Sequence, residues 1–181
     1  PYPMHGQNRE DIMQPALSDM NDSSGDPLLV KAREYVDEAE RDMDLYGVAH
    51  TSESLTALAL ARGKLRQPDK VVDLFEKNFK ASSDIADDRF YATCVQSLSR
   101  IDPNEAMRVF DEVYESTSDK NNNNKNPIRP NLYALNACVA ACAELRQISE
   151  ARKRVSQFVK NNPATPLSSD TVSYTHLRAH E

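Results

Sequence analysis

The sequence predicts an all-α protein made of short paired helices, and both its periodicity and its composition support that fold class. Apolar residues recur at steps of three and four along most of the chain from residue 27 to residue 161, which is the period of an amphipathic helix. No segment alternates with period two for long enough to form a strand. Only four Gly accompany ten Pro, and aromatic residues make up 7%, whereas sandwiches and barrels are richer in turn glycines and aromatic residues.

Length, charge and cysteine content exclude several classes of protein. The 181 residues suit one domain or a piece of a longer protein. No run approaches the roughly 18 apolar residues of a membrane span. The net charge of −6 excludes a strongly basic nucleic-acid-binding surface, and three Cys without a CxxC pair fit a reducing compartment. Because the chain begins with Pro1 rather than Met, we expect a fragment or a processed product, in which a targeting sequence need not be present.

Residues 1–26 are predicted to form a disordered acidic arm. The segment has scattered Pro, Ser and acidic residues and no sustained apolar period. Arg9 stands against five acidic residues, so the arm carries −4 of the net −6. The body from 27 to 170 is therefore close to neutral. The arm also lacks the Arg-rich, acid-poor composition of an organelle transit peptide.

Seven helices are predicted in the body. Asp26-Pro27 is typical of an N-cap followed by proline at the first helical position, apolar residues then recur from Leu29 to Tyr46, and Gly47 ends this first helix. The polar, Asn-rich segment 118–130 is predicted to be a loop. The other six helices are predicted over 53–63, 68–80, 88–100, 103–117, 131–145 and 148–161.

The helices repeat in pairs. The small or branched residue in the first turn of three successive second helices is Val71, Ala106 and Ala151, at separations of 35 and 45 residues. The ten extra residues match the size of the Asn-rich loop, which we therefore interpret as an insertion. The first helices share a register as well, in Leu55-Thr56-Ala57-Leu58, Tyr91-Ala92-Thr93-Cys94 and Leu135-Asn136-Ala137-Cys138. Since such units bury their apolar faces by stacking, the sequence predicts an α-solenoid of helix-turn-helix repeats of about 35 residues.

This unit resembles the pentatricopeptide repeat (PPR). The resemblance depends on the 35-residue helix-turn-helix period, on Pro-Asn-Leu-Tyr-Ala-Leu-Asn-Ala-Cys at 130–138 in a first helix, and on Ser-Glu-Ala-Arg at 149–152 in a second helix. It covers roughly residues 28–175. Tetratricopeptide repeats (TPR) have nearly the same length, but the Trp and Leu-Gly of their first helix are absent here. The Pro-Asn opening and Asn136 are closer to the PPR pattern.

The resemblance implies that the chain binds single-stranded RNA, with one base per repeat read by two or three side chains. It also implies a role in RNA processing, stability or translation inside a mitochondrion or chloroplast. In PPR proteins one residue of the first helix and the last residue of the repeat read the base. In this sequence the pairs are Thr56 with Asp87, Ala92 with Asn131, and Asn136 with Asp170.

These pairs differ in chemistry. By analogy with the family, Thr with Asp favours guanine, and Asn with Asp favours uracil. Ala92 has no side-chain hydrogen-bonding group, so the middle repeat departs from the pattern. Asp88 is the alternative to Asp87, because the register there is one residue short.

Structural roles compete with each of these interpretations. Thr and Asn near a helix start are typical caps or solvent-facing residues. Most cations in or near the first helices lie at helix ends, where they complement the helix dipole as well as any phosphate. The cations concerned are Arg62, Lys64, Arg66, Arg89, Arg100, Arg129 and Arg146.

The rival function is a TPR-like helical-repeat scaffold that binds a protein or peptide, which the near-neutral body and Ala92 favour.

The sequence contains few other candidates for catalytic or metal-binding residues. Cys138 and Cys142 share a helical face and Cys94 is equivalent to Cys138, which indicates small buried residues rather than a metal site. His176 and His180 have the spacing of a zinc-binding pair but lack a third ligand and the glutamate of HExxH. No Gly-rich phosphate loop or GxSxG motif occurs. We therefore expect no enzyme activity and no cofactor.

The last eleven residues, TVSYTHLRAHE at 171–181, have two interpretations. They match the opening of a further repeat loosely. They also resemble a translated sequencing-adaptor read-through, which is the interpretation we favour. In that case His176 and His180 carry no information about the fold.

Overall fold

The computed structural model describes residues 26–80, 85–118 and 130–162. These ranges contain seven helices and no strand, which confirms the all-α class. The predicted arm, most of the Asn-rich loop, Asp170 and the 171–181 tail lie outside them. The helices are α1 (Pro27–Leu45), α2 (Ser52–Lys64), α3 (Pro68–Lys80), α4 (Asp88–Leu98), α5 (Pro103–Ser118), α6 (Leu132–Glu144) and α7 (Ile148–Asn161).

Local sequence determines most of the helix ends. The bounds of α3 and α7 agree with the prediction, and α1 begins at Pro27 after an Asp26 cap as expected. The largest difference is at α4, which ends at Leu98 rather than residue 100. Pro103 explains this difference, because proline disfavours helical backbone in the residue before it, and Asp102 instead caps α5 by accepting the Glu105 N–H at 3.2 Å.

The helices pack in a regular order. The three first helices lie side by side, with α2 against α4 and α4 against α6. Each second helix contacts the first helix of its own pair, and α3 and α5 also contact the first helix of the next pair. In the three helix pairs the equivalent residues Val71, Ala106 and Ala151 are all fully buried. The residues at this register position therefore occupy the same kind of environment.

Aromatic residues join the pairs into one core. Phe75 is fully buried and lies 5.0 Å from Phe79 and 6.4 Å from Tyr91, measured between ring centroids. The Tyr91 hydroxyl donates a hydrogen bond to the Phe110 carbonyl oxygen at 3.3 Å, which satisfies its one polar group inside the core. The third pair contributes a smaller side chain to this core. Its equivalent of Phe75 and Phe110 is Val155, which is only partly buried.

Helix α1 attaches to the stack by polar contacts. None of its residues is buried, and Tyr35 and Tyr46 of its predicted apolar face remain exposed. Instead, Arg33 donates two hydrogen bonds, at 3.0 and 3.3 Å, to the Leu65 carbonyl oxygen. Helix α1 is the longest described helix. Neither α1 nor any other helix within the described ranges has the length and apolarity that a membrane crossing requires.

A buried arginine completes the attachment of α1. The Arg62 side chain is 1% exposed, and it pairs with Asp37 at 2.7 Å and with Glu40, both on α1. It also donates a hydrogen bond to Gln67 at 2.9 Å. At the repeat spacing of 35 residues Glu40 corresponds to the core residue Phe75, so α1 carries a charge where α3 carries a core aromatic ring.

Candidate functional site

The predicted base-reading positions lie at the start of the first helices. Asp87 and Asn131 are the N-caps of α4 and α6, and Thr51 is the N-cap of α2. Their side-chain oxygens accept the backbone N–H three residues further on, at 2.8, 2.9 and 3.2 Å respectively. Asp87, rather than Asp88, is therefore the equivalent of Asn131.

Two of these caps also connect neighbouring first helices. The Asp87 carboxylate lies close enough to the Ser52 hydroxyl, at the start of α2, for that hydroxyl to lower the pKa of Asp87. The Asn131 amide donates to the Asp88 carbonyl oxygen at the start of α4, at 3.0 Å. Each cap thus bridges to the preceding first helix, so the helix starts lie in a row.

The first-helix members of the predicted pairs lie five residues after these caps. Thr56 is half-buried, and its hydroxyl donates to the Ser52 carbonyl oxygen at 2.7 Å. Because the Ser52 hydroxyl also lowers the pKa of Asp87, Ser52 is a common neighbour of Thr56 and Asp87. Ala92 is buried, with only 7% exposure, and lies one turn beyond the Asp88 carbonyl that Asn131 contacts.

Asn136 is the unusual member of this row. Its side-chain oxygen Oδ1 is buried and makes no hydrogen bond with any described residue. A buried acceptor without a donor costs about 1–3 kcal/mol, so a group that donates to Asn136 would recover stability. Its predicted partner Asp170 lies outside the described residues, so the third pair is untested.

The electrostatics of Asp87 follow from its contacts. Partial burial opposes ionisation of this carboxyl, but hydrogen bonds from the Ser52 hydroxyl and from the Phe90 and Arg89 backbone N–H groups outweigh it. Together they hold the pKa of Asp87 below its ordinary value. Some of the hydrogen-bond acceptor sites on the Asp87 carboxylate are therefore already used by donors of the protein itself.

A strip of residues continues from these positions along one face of each first helix. Steps of four residues stay on one helical face. On α2 the strip is Thr56, Leu60 and Lys64; on α4 it is Ala92 and Gln96, followed by Arg100 in the turn after the helix; on α6 it is Asn136, Ala140 and Glu144. The middle residue is exposed on all three helices. The strips of α2 and α4 run to a cation, whereas that of α6 ends in a carboxylate.

The cationic ends of the first two strips border a groove, which we call the cationic groove. Its volume is about 720 Å³, and its lining includes four cations: Arg33 from α1, Lys64 from α2, Arg66 from the turn after α2, and Arg100 from the turn after α4. Uncharged residues complete the lining, Gln96 and Ser97 among them. No carboxylate contributes to its described walls, although the chain as a whole is acidic.

The remaining cations considered above have different surroundings. Arg62 is buried in its ion pairs with α1, so it is unavailable to a phosphate. Arg89 and Arg146 are exposed outside the groove, and Arg129 lies outside the described residues. Arg33 was not identified from the sequence, because it reaches the groove from α1. The shared strip position of Lys64 and Arg100 could have been found by comparing repeats.

The cysteines are buried, as expected. Cys94, Cys138 and Cys142 are free thiols with no exposed surface, and burial raises the pKa of the Cys94 thiol. Cys142 lies 3.3 Å from the Met107 sulfur, in apolar packing. Among the described residues no cluster of three or more His, Cys, Asp or Glu side chains could hold a metal ion. His176 and His180 lie outside that part of the chain.

Comparisons with known proteins give no family assignment. No protein-family model matches the chain, and no curated protein is similar to it in sequence. The function of this chain is therefore inferred from its residues and from its helix packing.

Proposed function

We propose that this chain is a PPR-like protein that binds single-stranded RNA and serves RNA processing, stability or translation in an organelle. Two features support its repeat architecture: the regular packing of first and second helices, and the burial of Val71, Ala106 and Ala151 at one register. The process and the organelle come from the family resemblance alone.

The strip along α2 and α4 is the observation that carries this proposal. On α2 it starts at Thr56, whose hydroxyl can hydrogen-bond a base edge, and on α4 it starts at Ala92, where the polar group is the amide of the predicted partner Asn131; both strips end at cations that can hold phosphates. Thr56 and Lys64 are eight residues apart, which corresponds to about 12 Å along the helix axis. Helices α2 and α4 share this arrangement, so a strand lying across these two helices would meet a base position and a cation on each.

Base preference tests the reading residues. Asn136→Ser should shift the preferred base opposite the third repeat away from uracil, by a factor of about five to ten, since one good side-chain contact to a base contributes about 1–3 kcal/mol of discrimination. Fluorescence anisotropy with RNAs that differ at one position measures the shift. Ala140→Ser is the matched control, because it adds a hydroxyl to the same strip, one turn away from the predicted reading position.

Salt dependence tests the phosphate contacts. The two strip cations, or the four cations of the groove, would release two to four counterions, so log K should fall against log salt with a slope between about −1.4 and −2.8. A slope near zero together with unchanged base preference in Asn136→Ser would rule out the RNA function.

The α6 strip favours the second candidate function, a TPR-like scaffold for a protein or peptide. Here Glu144 replaces the cation, and Tyr133 beside the N-cap is 80% exposed. An exposed aromatic ring at the start of α6 together with a carboxylate at its other end is suited to a basic, partly apolar peptide. Salt-insensitive binding of such a peptide, weakened in Tyr133→Ala and without RNA affinity, would support the scaffold.

A further inference from the structure

The cationic groove concentrates positive charge at one place. Four cations from α1, α2 and two turns line a single cavity, and they are Arg33, Lys64, Arg66 and Arg100. Along the row of first helices the charge does not continue, because Glu144 occupies the third position. An evenly charged RNA backbone would be matched by one cation per repeat, whereas this groove matches a single group that carries several charges.

The groove cations are available to a ligand. The side chains of Lys64, Arg66 and Arg100 are exposed, and none has a hydrogen bond or ion pair with a described residue. Arg33 uses Nε and Nη2 for the Leu65 carbonyl oxygen, which fixes the guanidinium and leaves Nη1 free to donate. The same contact removes a carbonyl acceptor that would otherwise repel an anion at the end of α2.

Phosphate chemistry distinguishes a chain end from a chain interior. An internal phosphodiester carries one negative charge, whereas a phosphate monoester loses a second proton with a pKa of about 6 and is mostly a dianion at neutral pH. Arginine side chains bind such groups through charge-assisted hydrogen bonds. The groove is also far larger than one phosphate, so it has room for an attached sugar or base.

We propose that the cationic groove binds a terminal phosphate monoester, either at the end of an RNA or on a free nucleotide. The RNA form of this proposal rests on the proposed function, whereas the groove's affinity for a terminal phosphate does not. The groove lies at the opposite end of α2 from Thr56 and Asp87, so a phosphate there would anchor one end of a strand whose bases lie along the strips.

The third repeat supplies a matched control. Arg66 and Arg146 follow the first helices of two pairs and share a left-handed backbone, with φ of 54° and 56°. Both are exposed, but only Arg66 lines the groove. Gln at either position removes the same charge from the same kind of turn. A general effect of charge at helix ends would appear in both variants, and a groove effect only in Arg66→Gln.

The experiment measures binding of four probes to the full chain by calorimetry or anisotropy. They are one short RNA with a 5′-phosphate, the same RNA with a 5′-hydroxyl, the same RNA with a 3′-phosphate, and adenosine monophosphate. We expect one phosphorylated end to tighten RNA binding at least about tenfold over the hydroxyl end. Arg66→Gln and Arg100→Gln should each reduce this gain in affinity about fivefold, which is the upper end of the contribution of an exposed ion pair. Arg146→Gln should leave the gain intact.

The pH dependence of binding provides an independent test. The preference for the phosphorylated end should shrink as the pH falls from about 7 to about 5, because the monoester then loses its second charge. The four cations of the groove come from α1, α2 and the turns after α2 and α4, and arginine and lysine keep their charge across that range.

Each outcome decides the proposal. Equal binding of all three RNAs, with no affinity for adenosine monophosphate, overturns the groove site and leaves the RNA function standing. Binding of adenosine monophosphate that is lost in Arg66→Gln, with no binding of any RNA, supports the site and removes the proposed RNA function. Equal losses in Arg66→Gln and Arg146→Gln overturn the proposal, because they indicate general charge attraction.

Discussion

At the scale of the residue, the N-caps show how one side chain serves both folding and recognition. Asp87 and Asn131 each close a helix start and bridge to the preceding first helix. Both positions were identified from the family resemblance as base-reading residues, and both have a sufficient structural role. A residue of this kind has to be tested by measuring stability and binding separately.

Asp87 should show this structural role in the pH dependence of stability. Its folded pKa lies below its unfolded value, so its contribution is present above the ordinary aspartate pKa of about 3.9 and is lost as the pH falls through the folded pKa. Asp87→Ala should therefore lower the free energy of unfolding by about 1 kcal/mol at neutral pH, as measured by urea denaturation.

The controls for this prediction use the cap at the equivalent position. Asp87→Asn copies Asn131, so it should keep most of the stability and should show less dependence on pH than the native aspartate. If Asp87→Ala costs the same stability at pH 7 as at pH values below the folded pKa, the carboxylate is not the stabilising form.

At the scale of the element, a close approach sets the distance between α2 and α4. A Cβ atom placed on Gly63 would lie 2.5 Å from the Ser97 Cβ and 2.7 Å from its hydroxyl oxygen. The Ser97 hydroxyl also donates to the Ala59 carbonyl oxygen on α2 at 3.2 Å. Glycine is therefore needed here for space, in a helix where alanine would otherwise be preferred.

Gly63→Ala should destabilise the protein despite the better helix propensity of alanine. We expect a loss of about 1–3 kcal/mol, typical of overpacking, in thermal or urea unfolding. In a Ser97→Gly background the two shortest contacts are gone and only the Cα of residue 97, at 3.3 Å, remains close to the added methyl group, so the same substitution should cost less there. An equal cost in the two backgrounds would show that the approach of the two helices is not the cause.

At the scale of the whole molecule, stability is distributed unevenly. The three helix pairs share one apolar core, whereas α1 contributes no buried residue and is held by Arg33 and Arg62. The carboxylates that pair with Arg62, on Asp37 and Glu40, are partly exposed, so they can return to water if α1 leaves. We therefore expect α1 to open separately from the stack of α2 to α7.

Arg62→Met tests this separation. It should raise hydrogen exchange of α1 amides at least about tenfold, since a hydrogen bond to a charged group contributes about 1.5–3 kcal/mol, while α4 to α6 change little. Arg108→Met is the control, because Arg108 pairs with Glu76 and Glu105 on an exposed surface of the stack. Faster exchange in α4 to α6, equal to that in α1, would show that α1 opens only with the whole molecule.

Capping residues, prolines and apolar periodicity predict the helices and most of their ends, because these signals act within a few residues of one another. The repeat register likewise predicts which positions are equivalent between pairs, and Val71, Ala106 and Ala151 at one such position are all buried. Which of the described cations remain available to a ligand depends on how the helices pack. Arg62 and Arg66 are close neighbours in sequence, yet one is buried against α1 and the other lines the cationic groove. Their environments depend on α1, some thirty residues away, and local patterns carry no information about where a distant helix packs.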